Sequence, residues 1–373
     1  MSARGDDVVG WLARLIAMPT HNPGGDELAL CQLLADALGS RGADEVEVES
    51  VKHDDGSDGA YVYARWGEPR VLVNTHIDTV PPNRAWSTDP FDPVIDGDRM
   101  FGLGTADTKG AAAAILCALE RERPRDLAIV FSGDEEHSGS CMRAFVASPR
   151  AAGIERALIS EPTSRRIGVR HRGVSAFRAE VACPGGHSSR ADRMPKPIVA
   201  LARLAVELDG VARRWIDRGP PEMTGLCLNV AGLDGGVAFN VIPERAELTF
   251  SFRAPPGCDR PALDLDLVQA VASAALEEGP AVRVVEVMDR PPFATRDVDG
   301  FRPLLGALVQ NSIQLDFWTE AAVMAEAGID AVVLGPGDIA VAHGADEYVP
   351  LADLAWAVDT YADVFARTRQ PRE

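Results

Sequence analysis

Two adjacent glutamates, Glu135 and Glu136, follow the apolar run at 127–131. An apolar, strand-like run that stops abruptly in acidic residues places charge at the end of a strand rather than along a solvated face. In a loop at that end, one glutamate can bind a metal ion while the other takes a proton from a metal-bound water. If this were the only motif, a polar turn would be the favoured interpretation.

Three further apolar runs end in the same way, each shortly before a potential metal ligand. The runs and the ligands that follow them are 71–73 with His76, 157–159 with Glu161, and 331–334 with His343. In open α/β sheets, ligands bind outside the carboxyl ends of the strands. We therefore expect the four strand ends to meet at one metal site with a carboxylate base beside it.

His76 and Asp78 are two residues apart and face the same side if they lie on a strand. Asp78 can then hold the second ring nitrogen of His76, an arrangement common behind metal-binding histidines. The ordinary alternative is that the two side chains form a hydrogen-bonded pair on the surface, because H-x-D by itself is a weak signal.

Asp107 lies in the segment 102–110, whose glycines let the backbone turn sharply and approach a ligand. The ordinary interpretation is a helix N-cap, and Asp107 can be cap and ligand together. Glu161 alone is typical of a helix cap, and His343 of a loop histidine. Glu320 can favour a cationic substrate side chain, but we interpret it as a solvated loop residue.

As a set, these residues indicate a metal site more strongly than any one of them does alone. The candidate metal ligands are His76, Asp107, Glu136, Glu161 and His343. Two histidines and three carboxylates suit zinc, cobalt or manganese. If one carboxylate bridges two ions about 3.5–4 Å apart, the site is that of a two-metal hydrolase. We expect two divalent metal ions, zinc in the first place and cobalt as the alternative.

Strands that alternate with helices along the chain must position these residues. This alternation predicts parallel βαβ units. After Glu161 the pattern changes to strand, helix, strand, strand, helix, strand, the order of a ferredoxin-like unit. The predicted fold is α/β: a mostly parallel-sheet metallohydrolase domain, 1–172 with 289–373, and an inserted α+β lid or dimerisation domain, 173–288.

The composition excludes several classes of protein. The 373 residues carry a net charge of −19, which argues against nucleic-acid binding, and the 46% apolar residues are ordinary for a globular protein. No apolar run approaches the ~20 residues of a membrane helix. The N-terminal residues lack a signal-peptide pattern, and the six scattered cysteines indicate reduced thiols. We expect a cytoplasmic protein without a membrane partner.

Together these motifs resemble the zinc-dependent aminoacylase family, which contains acetylornithine deacetylase, succinyl-diaminopimelate desuccinylase and carboxypeptidase G. The resemblance covers nearly the whole chain and is greatest to the acetylornithine and acetylcitrulline deacetylase branch. The matching segments are residues 19–24, 75–81, 102–110, 134–136, 160–162, 185–188 and 239–243, followed by the C-terminal histidine, His343.

The resemblance implies a role for each residue of the set. The implied ligands are His76 and Glu161 for one ion, Glu136 and His343 for the other, and Asp107 as the bridge. Glu135 would be the general base and acid, and Asp78 would support His76.

The resemblance also implies residues beyond the metal ligands. His187 would help to stabilise the tetrahedral oxyanion, and in dimeric relatives this histidine comes from the partner subunit. A homodimer through the inserted domain is therefore one expectation. Asn240 and Arg253 would contact the α-carboxylate side of the substrate, and Gly337 would lie along the pocket wall.

The expected reaction is removal of an N-acyl group, acetyl in the first place, from a small-molecule α-amino acid. By resemblance the substrate is N-acetylornithine or N-acetylcitrulline, in arginine biosynthesis. The alternatives are succinyl-diaminopimelate desuccinylase, a dipeptidase or carboxypeptidase on the same scaffold, and a non-catalytic amino-acid-binding relative.

Overall fold

A computed structural model describes residues 7–53, 56–275 and 281–369. The chain divides into two compact units. The first comprises residues 1–169, 294–315 and 319–373, and the second comprises residues 170–293 and 316–318. The catalytic and lid roles expected for two domains remain predictions.

The helices, in chain order, are α1 (Val8–Ile16), α2 (Glu27–Ser40), α3 (Lys109–Arg121), α4 (Ser140–Ala147), α5 (Pro197–Arg214), α6 (Arg260–Ala274), α7 (Arg302–Leu305), α8 (Ala321–Glu326) and α9 (Leu351–Thr368). The strands are β1 (Glu45–Lys52), β2 (Asp58–Trp66), β3 (Val71–His76), β4 (Val94–Asp96), β5 (Arg99–Phe101), β6 (Leu127–Ser132), β7 (Arg156–Ile159), β8 (Ile167–His171), β9 (Val174–Ala182), β10 (Gly186–His187), β11 (Leu228–Gly235), β12 (Val241–Ile242), β13 (Arg245–Phe252), β14 (Arg283–Arg290), β15 (Phe293–Ala294), β16 (Ser312–Leu315), β17 (Asp330–Val333) and β18 (Tyr348–Pro350).

The main sheet has the order β1-β2-β6-β3-β7-β17-β8-β15, with β16 paired to β8. Its four central strands, β6, β3, β7 and β17, are parallel neighbours. This confirms the expected α/β fold with a parallel sheet at its centre. The pairs β1–β2, β2–β6 and β17–β8 are antiparallel, so the flanks depart from a parallel arrangement.

Helix α3 illustrates how the sequence allows close packing in this unit. Its residues 109–119 are buried, and most are alanine or glycine. Such small side chains let α3 lie against α1 and α9, which contribute larger apolar residues such as Leu15, Tyr361 and Phe365 to the same core.

The second unit has the strand and helix order expected of a ferredoxin-like arrangement. Its sheet runs β11-β13-β9-β14, with every pair antiparallel. Side chains of α5, β13 and α6 form its core, among them Leu204, Phe250 and Leu263.

Two broader expectations concern the whole chain. All six cysteines are free thiols, as predicted. Among the described residues, no helix combines the length and apolar character needed to cross a membrane.

Candidate metal centre

The candidate ligands lie at or just beyond the carboxyl ends of the four parallel strands. His76 is the last residue of β3, and Glu135 and Glu136 form the turn that follows β6. Glu161 lies two residues after β7, and His343 lies in the loop after β17. Because these strands are parallel neighbours, their ends share one edge of the sheet.

Asp107 lies between two groups of side chains. Its Oδ1 is 2.9 Å from Nε2 of His76, and its Oδ2 is 3.3 Å from Nε2 of His343. Glu161 Oε1 is 3.8 Å from His76 Nε2, and Glu136 Oε1 is 2.8 Å from His343 Nε2. The two oxygens of Asp107 therefore face different histidines, each accompanied by a second carboxylate.

Each of these groups is compact enough to surround one ion. Ligand atoms of His76, Asp107 and Glu161 lie within 4.8 Å of one another, and so do those of Asp107, Glu136 and His343. The first group is buried, since the side chain of His76 is 2% exposed and that of Glu161 is 4% exposed. In the second, the His343 side chain is 53% exposed.

Hydroxyl groups fix the backbone around the first group. Thr108 Oγ1 donates to the carbonyl oxygen of His76 at 2.6 Å. Thr75 Oγ1 is 2.8 Å from Thr108 Oγ1 and 2.9 Å from the carbonyl oxygen of Ser160. The N-cap of α3 is Thr108, so the interpretation of Asp107 as the helix cap is wrong. Asp107 is free of that role and faces the histidines.

Glu347 holds the loop that carries Asp107. Its carboxylate accepts hydrogen bonds from the backbone N–H groups of Gly104, Ala106 and Asp107, at 3.1, 2.8 and 3.0 Å. Glu347 is buried, and this burial, together with the charge of Asp107, raises its pKa to about 8. Sequence reasoning missed this residue because nothing in its local pattern marks it as buried.

Asp78 holds the turn that carries the glutamate pair. Its two carboxylate oxygens accept the backbone N–H groups of Glu135 and Glu136, each at 3.1 Å. His76 Nδ1 lies 3.0 Å from the carbonyl oxygen of Asp78 and 3.4 Å from its carboxylate. Asp78 thus contacts the second ring nitrogen of His76 mainly through its backbone, and its carboxylate positions the turn.

A further buried carboxylate, Glu27, supports the same turn from α2. It accepts the backbone N–H of Asp134 at 3.0 Å and that of Ala60 at 2.9 Å. Asn22 Nδ2 bridges Glu27 and Asp78 with distances of 2.6 and 2.7 Å. A Cβ at Gly133 would overlap the Glu27 carboxylate, so this approach requires glycine. Burial, with the charge of Asp78, raises the pKa of Glu27 to about 8.

Glu320 is buried, so its interpretation as a solvated loop residue is wrong. It is 1% exposed and accepts a hydrogen bond from Ser132 Oγ at 2.6 Å. Asn74 Nδ2 donates to the same hydroxyl at 3.0 Å. Burial raises the pKa of Glu320 to about 7.

In the ligand cluster, the negative charge of the carboxylates exceeds the positive charge available to balance it. Burial, and the charges of Asp107 and Glu135, raise the pKa of Glu161 well above its usual value. Burial opposes the charged form of His76, yet Glu161 and Asp107 raise the pKa of His76. Hydrogen bonds to Asp107 and Glu136 raise the pKa of His343 to about 10.

The donor set fits a pair of divalent cations. Carboxylates outnumber histidines in this mostly buried cluster, and buried charges require pairing or metal coordination. Nitrogen and carboxylate oxygen are the donors that zinc and its neighbours bind. Asp107 presents one oxygen to each group, as a bridging ligand would.

The residues predicted for substrate contact lie in both units. Gly337, with φ +83°, donates its N–H to Asp353 at 3.1 Å and lies beside Ala106. His187 and Asn240 lie in the second unit, where His187 pairs with Val241 and the Asn240 carbonyl accepts the N–H of Ser188. Arg253 follows β13 in the same unit. Their substrate-binding and catalytic roles remain predictions.

A sheet of this kind, with carboxylates and histidines collected at its strand ends, defines a metal-dependent hydrolase. Residues 72–367 match the model of peptidase family M20/M25/M40, and the chain belongs to this family. The expected family relationship and the class of enzyme, a metal-dependent amidohydrolase, are thereby confirmed.

Several relatives span most of the chain, and two of them are deacetylases. The N-acetyl-L-citrulline deacetylase of Xanthomonas campestris pv. campestris is 36% identical over 326 residues, covering 84% of this chain and 86% of that protein. The acetylornithine deacetylase of Myxococcus xanthus is 33% identical over 333 residues, covering 85% and 82%.

Solved structures share the fold at lower identity. An M20 family metallo-carboxypeptidase from Sulfolobus solfataricus has a TM-score of 0.75 and 16% identity, covering 97% of this chain and 99% of that one. A dinuclear metal binding peptidase of the M20 family, the YXEP protein of Bacillus subtilis, has a TM-score of 0.68 and 15% identity, covering 97% and 98%.

Proposed function

We propose that the protein hydrolyses the N-acyl amide of an N-acetylated α-amino acid, with N-acetylcitrulline and N-acetylornithine as its substrates. The observation that carries the proposal is Asp107, whose two oxygens face two histidine–carboxylate groups with Glu135 beside them. Two relatives that match most of the chain, at 36% and 33% identity, are deacetylases of these two amino acids, which supports the choice of substrate.

The ligands of one cation would be His76, Asp107 and Glu161, and those of the other Asp107, Glu136 and His343. When bound, the two cations supply positive charge that lowers the pKa of a water molecule and polarises the acyl carbonyl. Zinc is the proposed metal, because the donors are imidazole nitrogens and carboxylate oxygens.

Glu135 would move the proton in this reaction. Its backbone is held by Asp78, it is only 7% exposed, and its carboxylate lies within 4.8 Å of ligand atoms of His76 and Glu136. It would accept a proton from the attacking water and return it to the amine nitrogen as the C–N bond breaks. The products are a carboxylate and the free amino acid.

One deacylation assay with four substrates tests the proposal. Purified enzyme is compared on N-acetylcitrulline, N-acetylornithine, N-succinyl-diaminopimelate and a dipeptide, with the Glu135→Gln variant as a matched control for contaminating activity. We expect the highest kcat/KM on one of the acetylated amino acids. A clear preference for the dipeptide or the succinyl compound would overturn the substrate assignment, and no turnover of any of them would overturn the proposed activity.

A further inference from the structure

A second group of potential metal ligands lies apart from the carboxylate–histidine centre. His53 follows β1, Asp134 lies in the loop after β6, and Cys141 is in the first turn of α4. One ligand atom from each lies within 4.8 Å of the others. The group combines an imidazole, a carboxylate and a thiol, and it shares no side chain with the centre described above.

His53 presents an unsatisfied nitrogen to this group. Its side chain is 4% exposed, and its Nε2 is buried without a hydrogen-bond partner. Nε2 lies 3.0 Å from Asp134 Oδ2, but the two are not aligned for a hydrogen bond. The other ring nitrogen, Nδ1, is 2.8 Å from Ser57 Oγ, which fixes the ring orientation. A buried polar atom without a hydrogen bond destabilises the folded state, so Nε2 calls for a partner.

Asp134 is held in place by its own turn. Its φ is +70°, in the left-handed region that non-glycine residues seldom occupy. Its Oδ1 accepts the N–H of Ser138 at 2.9 Å, and its Oδ2 accepts the Ser138 hydroxyl at 2.6 Å and the N–H of Ser140 at 2.8 Å. The carboxylate is therefore preorganised before any cation arrives.

Cys141 completes the group from the side of α4. Its side chain is fully buried, and burial raises the pKa of its thiol above the usual range. A Cβ at Gly59 would lie 2.7 Å from His53 Nε2 and 2.9 Å from Cys141 Sγ. Glycine at this position lets the imidazole and the thiol converge.

We propose that His53 Nε2, Asp134 Oδ2 and Cys141 Sγ bind a further divalent cation of the zinc class. Mixed nitrogen, oxygen and sulfur donors are typical of zinc and Co²⁺ sites, with water in the fourth position. On binding, the thiol releases its proton to solvent and the thiolate bonds to the cation. The ion would join the turn after β1 and α4 to the loop that leads into Glu135.

The test uses Co²⁺ as the probe, added to the full-length enzyme after removal of bound metal. A cobalt–thiolate bond gives a sulfur-to-metal charge-transfer band, and the carboxylate–histidine centre contains no cysteine that could produce one. We expect this band in the wild type, together with one more equivalent of bound Co²⁺ than in Cys141→Ser. The band should disappear in Cys141→Ser and in His53→Gln. It should persist in Cys117→Ser, a matched substitution of a buried cysteine in α3.

A wild type without the band at saturating Co²⁺, or a band that survives in folded Cys141→Ser, would overturn the site. If Cys141→Ser does not fold, as judged by circular dichroism, persistence of the band in His53→Gln has the same meaning. Deacylation is measured in parallel. A band with no activity on any substrate contradicts the proposed function alone, whereas activity without a band contradicts this site alone.

Discussion

The carboxylate of Glu347 accepts the backbone N–H of Asp107 at 3.0 Å. Glu347 follows His343 by four residues, so the segment that presents one histidine also fixes the loop that presents Asp107. Two candidate ligands from distant parts of the sequence are thereby positioned by a single stretch of chain, before either meets a cation.

Glu347→Gln is expected to weaken metal binding about 10–100-fold, the usual effect of losing a group that orients a ligand. The new amide would turn an N–H toward backbone N–H groups that need an acceptor. Competition with a chelator of known affinity measures the change. Asp346→Asn is the control, because Asp346 bonds to Ser87 instead. Unchanged metal affinity in Glu347→Gln would show that the loop holds its shape without the carboxylate.

Asp78→Asn is expected to lower kcat about 10–100-fold, because one of the two backbone N–H groups in the glutamate turn would lose its acceptor. Steady-state kinetics together with metal analysis measure the effect. Asp338→Asn, in the loop after β17, is the control. Wild-type kcat in Asp78→Asn would mean that Glu27 and Asn22 suffice to hold the turn.

Glu135→Gln is expected to reduce turnover by about 10²–10⁴-fold, the range for loss of a general base. Bound metal should stay at the wild-type level, since Glu135 is not among the proposed ligands. Elemental analysis of the purified variant separates the two roles. Loss of metal together with activity would make Glu135 a ligand rather than the base.

His187→Ala is expected to lower kcat about 10²-fold while KM changes little, as for a group that acts mainly in the transition state. The kcat and KM values on the preferred substrate decide this. Ser189→Ala, which removes the hydroxyl 2.9 Å from His187 Nδ1, is a milder companion variant. An unchanged kcat in His187→Ala would remove this residue from the mechanism.

The raised pKa of Glu320 predicts how the stability of the protein changes with pH. Burial raises its pKa to about 7 from an ordinary value of 4.5, so the folded state binds more protons than the unfolded chain between these values. The stability that the protonated group contributes is therefore full below about pH 4.5 and is lost as the pH rises toward 7, by up to about 1.4 kcal/mol per pH unit.

Glutamine mimics the protonated acid and does not titrate. The free energy of unfolding of Glu320→Gln, measured with urea, should therefore rise relative to wild type between about pH 5 and pH 7. Glu326→Gln, the same change at the exposed end of α8, is the control. Parallel pH profiles for Glu320→Gln and wild type would contradict the burial argument.

The sequence indicates the strand ends because four short apolar runs each stop shortly before a charged or metal-binding residue. It predicts the parallel centre of the sheet and the positions of His76, Glu136, Glu161 and His343 along it. These inferences depend only on local pattern and on the rule that parallel strands end at one edge.

The sequence does not reveal which carboxylates are buried behind the ligands. Glu27 and Glu347 lie in helical and loop segments whose patterns resemble solvated ones, and the interpretation of Glu320 is wrong for the same reason. The burial of Glu27 and Glu347 is decided by backbone N–H groups that other segments bring to them. The antiparallel strand β2 is also not predicted, because its residues show no alternation of buried and exposed positions.

The uneven exposure of the two histidines has a kinetic consequence. His76 and Glu161 are enclosed by the sheet, whereas the side chain of His343 is half open to solvent. An ion held by His343 and Glu136 would exchange with the medium faster than one held by His76 and Glu161. We therefore expect dialysis against chelator to remove the ions in two steps, the ion at the His343 position first.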